Sequence, residues 1–283
     1  MTEMTEDCRF CGGATCAAFT MRILRRYDVM SYRCLECASL QVERPYWLHE
    51  AYSSAIAAMD TGAVERNLVS QTSIWTIAEI LRLRGQFLDF GGGTGMLCRL
   101  LRDRGYDAYV YDKYAESAYA KAYSIDLTNQ ESGTIDLLSA IEVFEHFDEP
   151  AAQLAQLFAI RPRVLVATTI PYSGEGADWW YLSPETGQHV FFYSRRALKQ
   201  IADKFGYDYC EAGAFHIFTH ARVDMVRKVL MRCALSAVGR RLGRMWIATT
   251  QSGRYANDDY RKLVTSVREW NSFRSERETD RSN

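Results

Sequence analysis

Two groups of residues in this sequence have the types and spacing to do chemistry. The first is cysteine. Five of the eight cysteines fall in the first 37 residues, and four form two C-x-x-C pairs, Cys8-Arg9-Phe10-Cys11 and Cys34-Leu35-Glu36-Cys37, with 22 residues between them. Four thiolates so spaced can close a tetrahedron around Zn²⁺. Such a site has no open position, so the metal would be structural. Gly12-Gly13 lets the chain turn around it, and Cys16 is left over as a non-ligand. The second group is a glycine loop. Gln86-Phe87-Leu88-Asp89-Phe90 reads as a short apolar strand broken by Gly91-Gly92-Gly93-Thr94-Gly95. Glycines at a strand-to-helix turn let backbone approach a ligand closely. Asp112 ends the next strand, 21 residues after Gly91. A carboxylate there can accept hydrogen bonds from both ribose hydroxyls. A nucleoside-containing cofactor is therefore expected across the carboxyl ends of these two strands.

The elements that must position these groups follow from hydrophobic period. Residues 1–45 read as a zinc ribbon ended by Pro45, which at that size buries little core and draws much of its folding energy from the metal. Residues 46–84 read as a helical connecting arm, with helices over 47–59 and from Val64 to Leu83. In 85–220, strands at Gln86–Phe90, Ala108–Asp112, Tyr123–Leu127, Ile135–Ala140 and Val164–Thr169 alternate with helices at Met96–Arg104, Ala115–Ala122, Pro150–Ala159 and Arg195–Phe205. That alternation predicts an α/β fold with a mostly parallel sheet covered on both faces. Tyr207–Glu211 and Phe215–Thr219 are too close for a helical crossover, so they should pair antiparallel. Residues 221–283 form a basic helical tail: Arg222 to Arg244 carries seven basic residues and one acid beside an apolar stripe. Such a helix packs on the core or docks on a membrane surface or anionic partner.

The glycine loop does not fit the nicotinamide fingerprint G-x-G-x-x-G. From Gly91 the third glycine is replaced by Met96, and from Gly93 by Cys98. Acidic-x-G-x-G-x-G, as in Asp89, Gly91, Gly93 and Gly95, instead resembles motif I of the class I S-adenosylmethionine-dependent methyltransferases. Ile135-Asp136 running to Glu142-Val143-Phe144-Glu145-His146 resembles the strand-four motif of that superfamily's small-molecule branch. Tyr193-Ser194, Ala197-Leu198 and Gly206-Tyr207 resemble its late element. The match covers about 85–220. It implies a Rossmann-like sheet of seven strands with the last antiparallel, and S-adenosylmethionine as cofactor. It further implies Asp89, Gly91, Gly93 and Gly95 as cofactor-binding residues, with Gly91 and Gly93 lining the methionine part, Asp112 on the ribose, Asp126 or its neighbours Ser124 and Ile125 on the adenine, and Ala140 and Ile141 along the sulfonium side.

Methyl transfer to an alcohol requires a base for the hydroxyl proton, and histidine is the usual choice. His189 ends an aromatic loop after the fifth strand and is the preferred base. His146, with Glu145, is the second candidate or braces the loop. Tyr181, Glu185 and Gln188 from the same loop, and Tyr52 from the arm, are expected to meet the acceptor. Ribbon, arm and core together resemble the bacterial zinc-containing sugar methyltransferases. The sugar C-methyltransferases of that group carry a further C-terminal domain, for which the residues after 220 are too few. The resemblance therefore implies O-methylation of a sugar hydroxyl on a nucleotide sugar, glycan or polysaccharide. Sugar C-methylation, RNA methylation and a non-catalytic cofactor-binding module are the alternatives. Thirty-four basic against 35 acidic residues weigh against nucleic acid as partner. No apolar run has the length of a membrane span and the N-terminus reads as no export signal, so a cytoplasmic location is expected.

Overall fold

The computed structural model describes residues 6–52, 60–127, 131–249 and 256–265. It contains two sheets. The larger is built from β4 (Gln86–Phe90), β5 (Asp107–Tyr111), β6 (Ile135–Ile141), β7 (Val164–Thr168), β9 (Asp208–Ala212) and β10 (Phe215–Thr219), in the order β5-β4-β6-β7-β10-β9. β5, β4, β6 and β7 are parallel, and β10 runs antiparallel to both its neighbours. Every residue of β7 is buried, as expected of a strand covered on both faces. One face holds α4 (Pro150–Ala159) and α5 (Arg195–Phe205). The other holds α2 (Ala63–Leu81), α3 (Met96–Asp103) and α6 (Met225–Ala234). Local chemistry sets the helix ends. Proline opens α4. The Ser194 hydroxyl accepts from the Ala197 amide at 3.0 Å to cap α5, which stops at left-handed Gly206.

The smaller sheet has the order β1-β2-β3-β8, from β1 (Thr15–Ile23), β2 (Tyr27–Cys34), β3 (Leu40–Val42) and β8 (Phe191–Phe192), all antiparallel. Its fourth strand comes from Phe191–Phe192, so this N-terminal sheet is not closed within residues 1–45. The cysteine pairs do not sit over a small core of their own either. Cys8, Phe10, Cys34 and Cys37 share one buried cluster with Phe144, Tyr193 and the apolar face of α5. The large core therefore supports the cysteine segment directly.

Several expected elements differ. Among the described residues the large sheet has six strands, not seven, because the strand expected at 123–127 is reduced to a single parallel bridge between Val110 and Ser124. The helix expected over 115–122 does not form; only a 3₁₀ turn at Lys121–Tyr123 is present. Its amides are taken by other acceptors. Ala115 donates to Asp112, Ala118 and Tyr119 both donate to the Thr94 carbonyl, and Ala120 donates to the Ser117 hydroxyl. The helix expected over 47–59 is seen as α1 (Leu48–Ala51), and its continuation lies outside the described residues. The tail contains α6, α7 (Ala237–Thr249) and a helical segment at 256–265. Asp259 of that segment makes a buried two-point ion pair with Arg102, both contacts at 2.8 Å. Met231 and Leu235 are buried, whereas Met225, Val226, Val229 and Leu230 are exposed beside the basic residues. Among the described residues, no helix is long and apolar enough to cross a membrane.

Candidate active site

A cavity of about 1240 Å³ opens at the carboxyl ends of β4, β5 and β6. The glycine loop forms one wall. Gly91 has φ +69° and a side chain there would meet Val143 at 2.7 Å, so only glycine fits. Gly93 has φ +53° and faces open space, which leaves room for a ligand against the backbone. Asp112 stands beside it. One of its oxygens accepts from the Gly93 amide at 2.8 Å, and the other from Tyr114 and Ala115 at 2.7 and 2.8 Å. Three amides thus aim this carboxylate along the cavity. Asp89 lies deeper and is buried. The Ser139 hydroxyl donates to one of its oxygens at 2.8 Å, and the other has no partner among the described residues. Burial pushes this carboxyl up to about 7, against the pull of the Ser139 hydrogen bond. A buried carboxylate oxygen without a donor suits a cationic amino group. Ile141 lies on the wall, whereas Gly95 and Asp126 do not. Gly95 is packed under the Ser117 hydroxyl at the start of α3, and Asp126 is exposed, its place on the wall taken by Leu127.

The opposite wall gathers Glu142, His146 and His189, with Tyr181. Glu145 is fully buried behind them. The Tyr181 hydroxyl lies 2.8 Å from one Glu145 oxygen and 3.2 Å from Glu142, and its single hydrogen serves one of them. The second Glu145 oxygen has no partner among the described residues. Burial, and next the Glu142 charge, hold the Glu145 carboxyl well above its ordinary range. Glu142 itself has φ +53°, a costly conformation for a residue with a side chain. His189 Nδ1 lies 2.7 Å from the Tyr181 carbonyl oxygen. A carbonyl only accepts, so Nδ1 carries the proton and Nε2 keeps its lone pair. His146 Nδ1 lies 3.0 Å from the Tyr52 hydroxyl, and Tyr52 stacks on Tyr114 with ring centroids 4.5 Å apart. Burial lowers both imidazoles, His146 to about 3, so both rings are neutral at physiological pH.

The rim differs from the expected aromatic platform. Trp179 packs against Tyr172, Tyr181 and Phe192, and Tyr181 is buried with its hydroxyl committed to the carboxylates. Trp180 alone of this group is open, at 73 % exposure, and it lines the cavity with Glu185 and Gln188. The Gln188 side chain donates to the Ala51 carbonyl at 2.7 Å, joining loop to arm. Asp60, Arg66 and Asn67 of the arm also reach the wall, with Arg66 and Asp60 paired at 3.1 and 2.6 Å. Of the other histidines, His216 is buried between Tyr209 and Thr169, and His49 and His220 are exposed.

The four cysteines converge as well. Sγ of Cys8 lies 3.7 Å from that of Cys37, and Sγ of Cys11 lies 3.5 Å from that of Cys34, with all four within 4.8 Å of one another. A disulfide would need ~2.05 Å. Zinc–sulfur bonds of ~2.3 Å place tetrahedral sulfurs ~3.8 Å apart, so the spacing fits a metal. The Glu36 and Cys37 amides both donate to Cys34 Sγ, at 3.4 and 3.3 Å. Sequence reasoning did not single out Glu142 or Tyr114. Glu142 had a signal, since it lies three residues before Glu145 and a single turn brings the two together. Tyr114 had none beyond following Asp112.

Comparison with known proteins bears on this arrangement. The family model described as "Methyltransferase domain" matches residues 66–212. No curated protein matches the sequence. Among solved structures, magnesium protoporphyrin IX methyltransferase from Synechocystis PCC 6803 is similar at 17 % identity and TM-score 0.42, covering 62 % of this chain and 95 % of that one. The 1,6-didemethyltoxoflavin-N1-methyltransferase of Burkholderia thailandensis is similar at 12 % identity and TM-score 0.47, over 73 % of this chain and 100 % of that one.

Proposed function

Because the chain belongs to the family described as Methyltransferase domain, we propose that it moves a methyl group from S-adenosylmethionine to a hydroxyl of a sugar-like acceptor. The observation that carries this reading is one cavity with two unlike walls. Asp112, the Gly91–Gly93 backbone and the partnerless Asp89 oxygen form one side; His146, His189 and Glu142 form the other. When bound, the cofactor supplies an electrophilic methyl on a sulfonium. Asp112 takes the ribose hydroxyls, and Asp89 takes the cationic amino group. Leu127 stands where Asp126 was expected, beside the adenine. Ile141 lies along the sulfonium. Holding the acceptor oxygen in line with the methyl is the main catalytic task, and His189 Nε2, neutral and with its lone pair free, receives the hydroxyl proton. Trp180 offers an open ring for the apolar face of a sugar, with Glu185 and Gln188 for its hydroxyls. For the cysteine site we propose a structural zinc, since four thiolates leave no position for chemistry.

The test is calorimetry with S-adenosylhomocysteine, followed by methyl-label tracing into fractionated nucleotide sugars, glycans and RNA. Asp112→Ala should weaken binding at least a hundredfold, on the scale of two charge-assisted hydrogen bonds. Unchanged affinity would overturn the ribose assignment. Label entering RNA alone would replace the sugar acceptor by the RNA alternative.

A further inference from the structure

We propose that Glu145, His146 and His189 hold one divalent transition-metal cation on the acceptor wall of the cavity, separate from the cysteine site. A carboxylate oxygen of Glu145 and one ring nitrogen from each histidine lie within 4.8 Å of one another. Around a cation with bonds of ~2.1 Å such atoms sit ~3.4 Å apart, a contraction that side-chain rotation covers. Two imidazoles and one carboxylate suit Mn²⁺, Fe²⁺ or Zn²⁺ better than Mg²⁺ or Ca²⁺, which prefer oxygen alone.

Three further observations point to a ligand. Among the described residues the second oxygen of Glu145 has no hydrogen-bond partner, although Glu145 is fully shielded from solvent. A buried carboxylate in that state is costly unless a cation meets it. No side chain supplies that cation: among the described residues Glu145 forms no ion pair, and Arg66, the guanidinium on this wall, is held two-point by Asp60. Second, the Tyr181 carbonyl fixes the proton of His189 on Nδ1 and so leaves Nε2 free to bind metal. A carbonyl behind the far ring nitrogen is the usual outer support of a metal-bound histidine. Third, the backbone ties the three ligands into one unit, since the Val190 amide, next to His189, donates to the Glu145 carbonyl at 2.8 Å. The site has three protein ligands and opens on the cavity, the pattern of a metal that also binds something else. An oxygen of the acceptor would complete the shell and be acidified there. That last role rests on the methyltransferase reading; the binding itself does not. A histidine bound to metal no longer takes a proton, so His189 would then position the cation instead of acting as base.

The experiment uses the full chain with its cysteine site loaded with zinc. Mn²⁺ is titrated in, and free Mn²⁺ is read by electron paramagnetic resonance. One saturable Mn²⁺ per chain is expected, with affinity falling at least tenfold in Glu145→Gln and in His189→Ala. Binding of S-adenosylhomocysteine is measured on the same samples as the check on folding, and His189→Ala, which leaves the buried carboxylate in place, stands in if Glu145→Gln does not fold. Absence of saturable Mn²⁺ binding at millimolar concentration would overturn the proposal. So would binding that both folded variants retain in full. Because no acceptor is needed, Mn²⁺ binding without S-adenosylhomocysteine binding would count against the methyltransferase reading and not against the metal site.

Discussion

The four-cysteine cluster and the Glu145–His146–His189 cluster each bring ligand atoms within 4.8 Å, but they are assembled in opposite ways. The cysteines come as two local pairs at the end of one small sheet, and four thiols can fill all four positions of a tetrahedron. The second cluster joins residues more than 40 positions apart, is incomplete, and opens on the cavity. A closed cluster can only hold the fold, and an open one can act. The two are also mechanically linked. Arg9, inside the first C-x-x-C, donates to the Val42 carbonyl at 2.6 Å and the Val190 carbonyl at 3.1 Å. Val190 in turn donates to Glu145. The Ser194 hydroxyl, following β8, donates to the Cys37 carbonyl. The closed site is thus a brace for the segment that carries His189.

Removing a ligand from the closed site should have the largest effect. Structural zinc contributes on the order of 10 kcal/mol to small domains that depend on it. Cys37→Ser is expected to lower zinc content from one per chain to near zero and to broaden and lower the thermal transition. Zinc retained at one equivalent would break the comparison at its root. In the open site the loss should be functional. His189→Ala is expected to reduce turnover by about 10²–10⁴, the range for losing a proton-transfer group or the cation that His189 would position, with affinity for S-adenosylhomocysteine changed less than about twofold. An equal loss of both would make His189 a structural residue like those of the closed site.

How much of this was legible follows from the same contrast. The meeting of the four cysteines could be read because their spacing is its signature, and the placing of the glycine loop and Asp112 on one cavity wall because strand, turn and strand are contiguous. Asp126 stands off the cavity wall because the strand expected to carry it shrinks to one bridge at Ser124. Glu145 was named as catalytic, but that its second oxygen is buried without a donor depends on Tyr181, which reaches back from 36 residues away. The pairing of β3 with β8 could not be foreseen either. Two residues, Phe191-Phe192, carry no period, and their partner strand lies at the other end of the chain. Long-range closure wrote the brace, and no window of sequence contains it.

The brace can be broken without touching either set of ligands. Arg9→Ala removes the two hydrogen bonds to Val42 and Val190, worth ~1.5–3 kcal/mol each when one partner is charged. Zinc content should remain at one per chain while turnover falls about tenfold or more through misplacement of His189. Turnover at the wild-type level would mean that the two clusters are neighbours without coupling.

The smallest effect belongs to the cofactor wall and is read by pH. Asp89 titrates near 7 because burial opposes its charge. The unfolded value is near 3.8, so the native state holds the proton more tightly, and this group lowers stability progressively as pH rises from about 4 to about 7. A cationic amino group against its free oxygen favours the ionised form. Affinity for S-adenosylhomocysteine should therefore rise with pH, by up to about tenfold per unit below 7, and level off above it, with a proton released on binding. Asp89→Asn should flatten that profile and leave Mn²⁺ binding on the opposite wall unchanged. If the wild-type affinity were flat from about pH 5.5 to 7.5, the amino group would not sit on Asp89, and the buried oxygen would need another occupant. If the Asp89→Asn substitution altered the Mn²⁺ titration, the two walls would be one coupled site, and the division between a cofactor side and an acceptor side would fall with it.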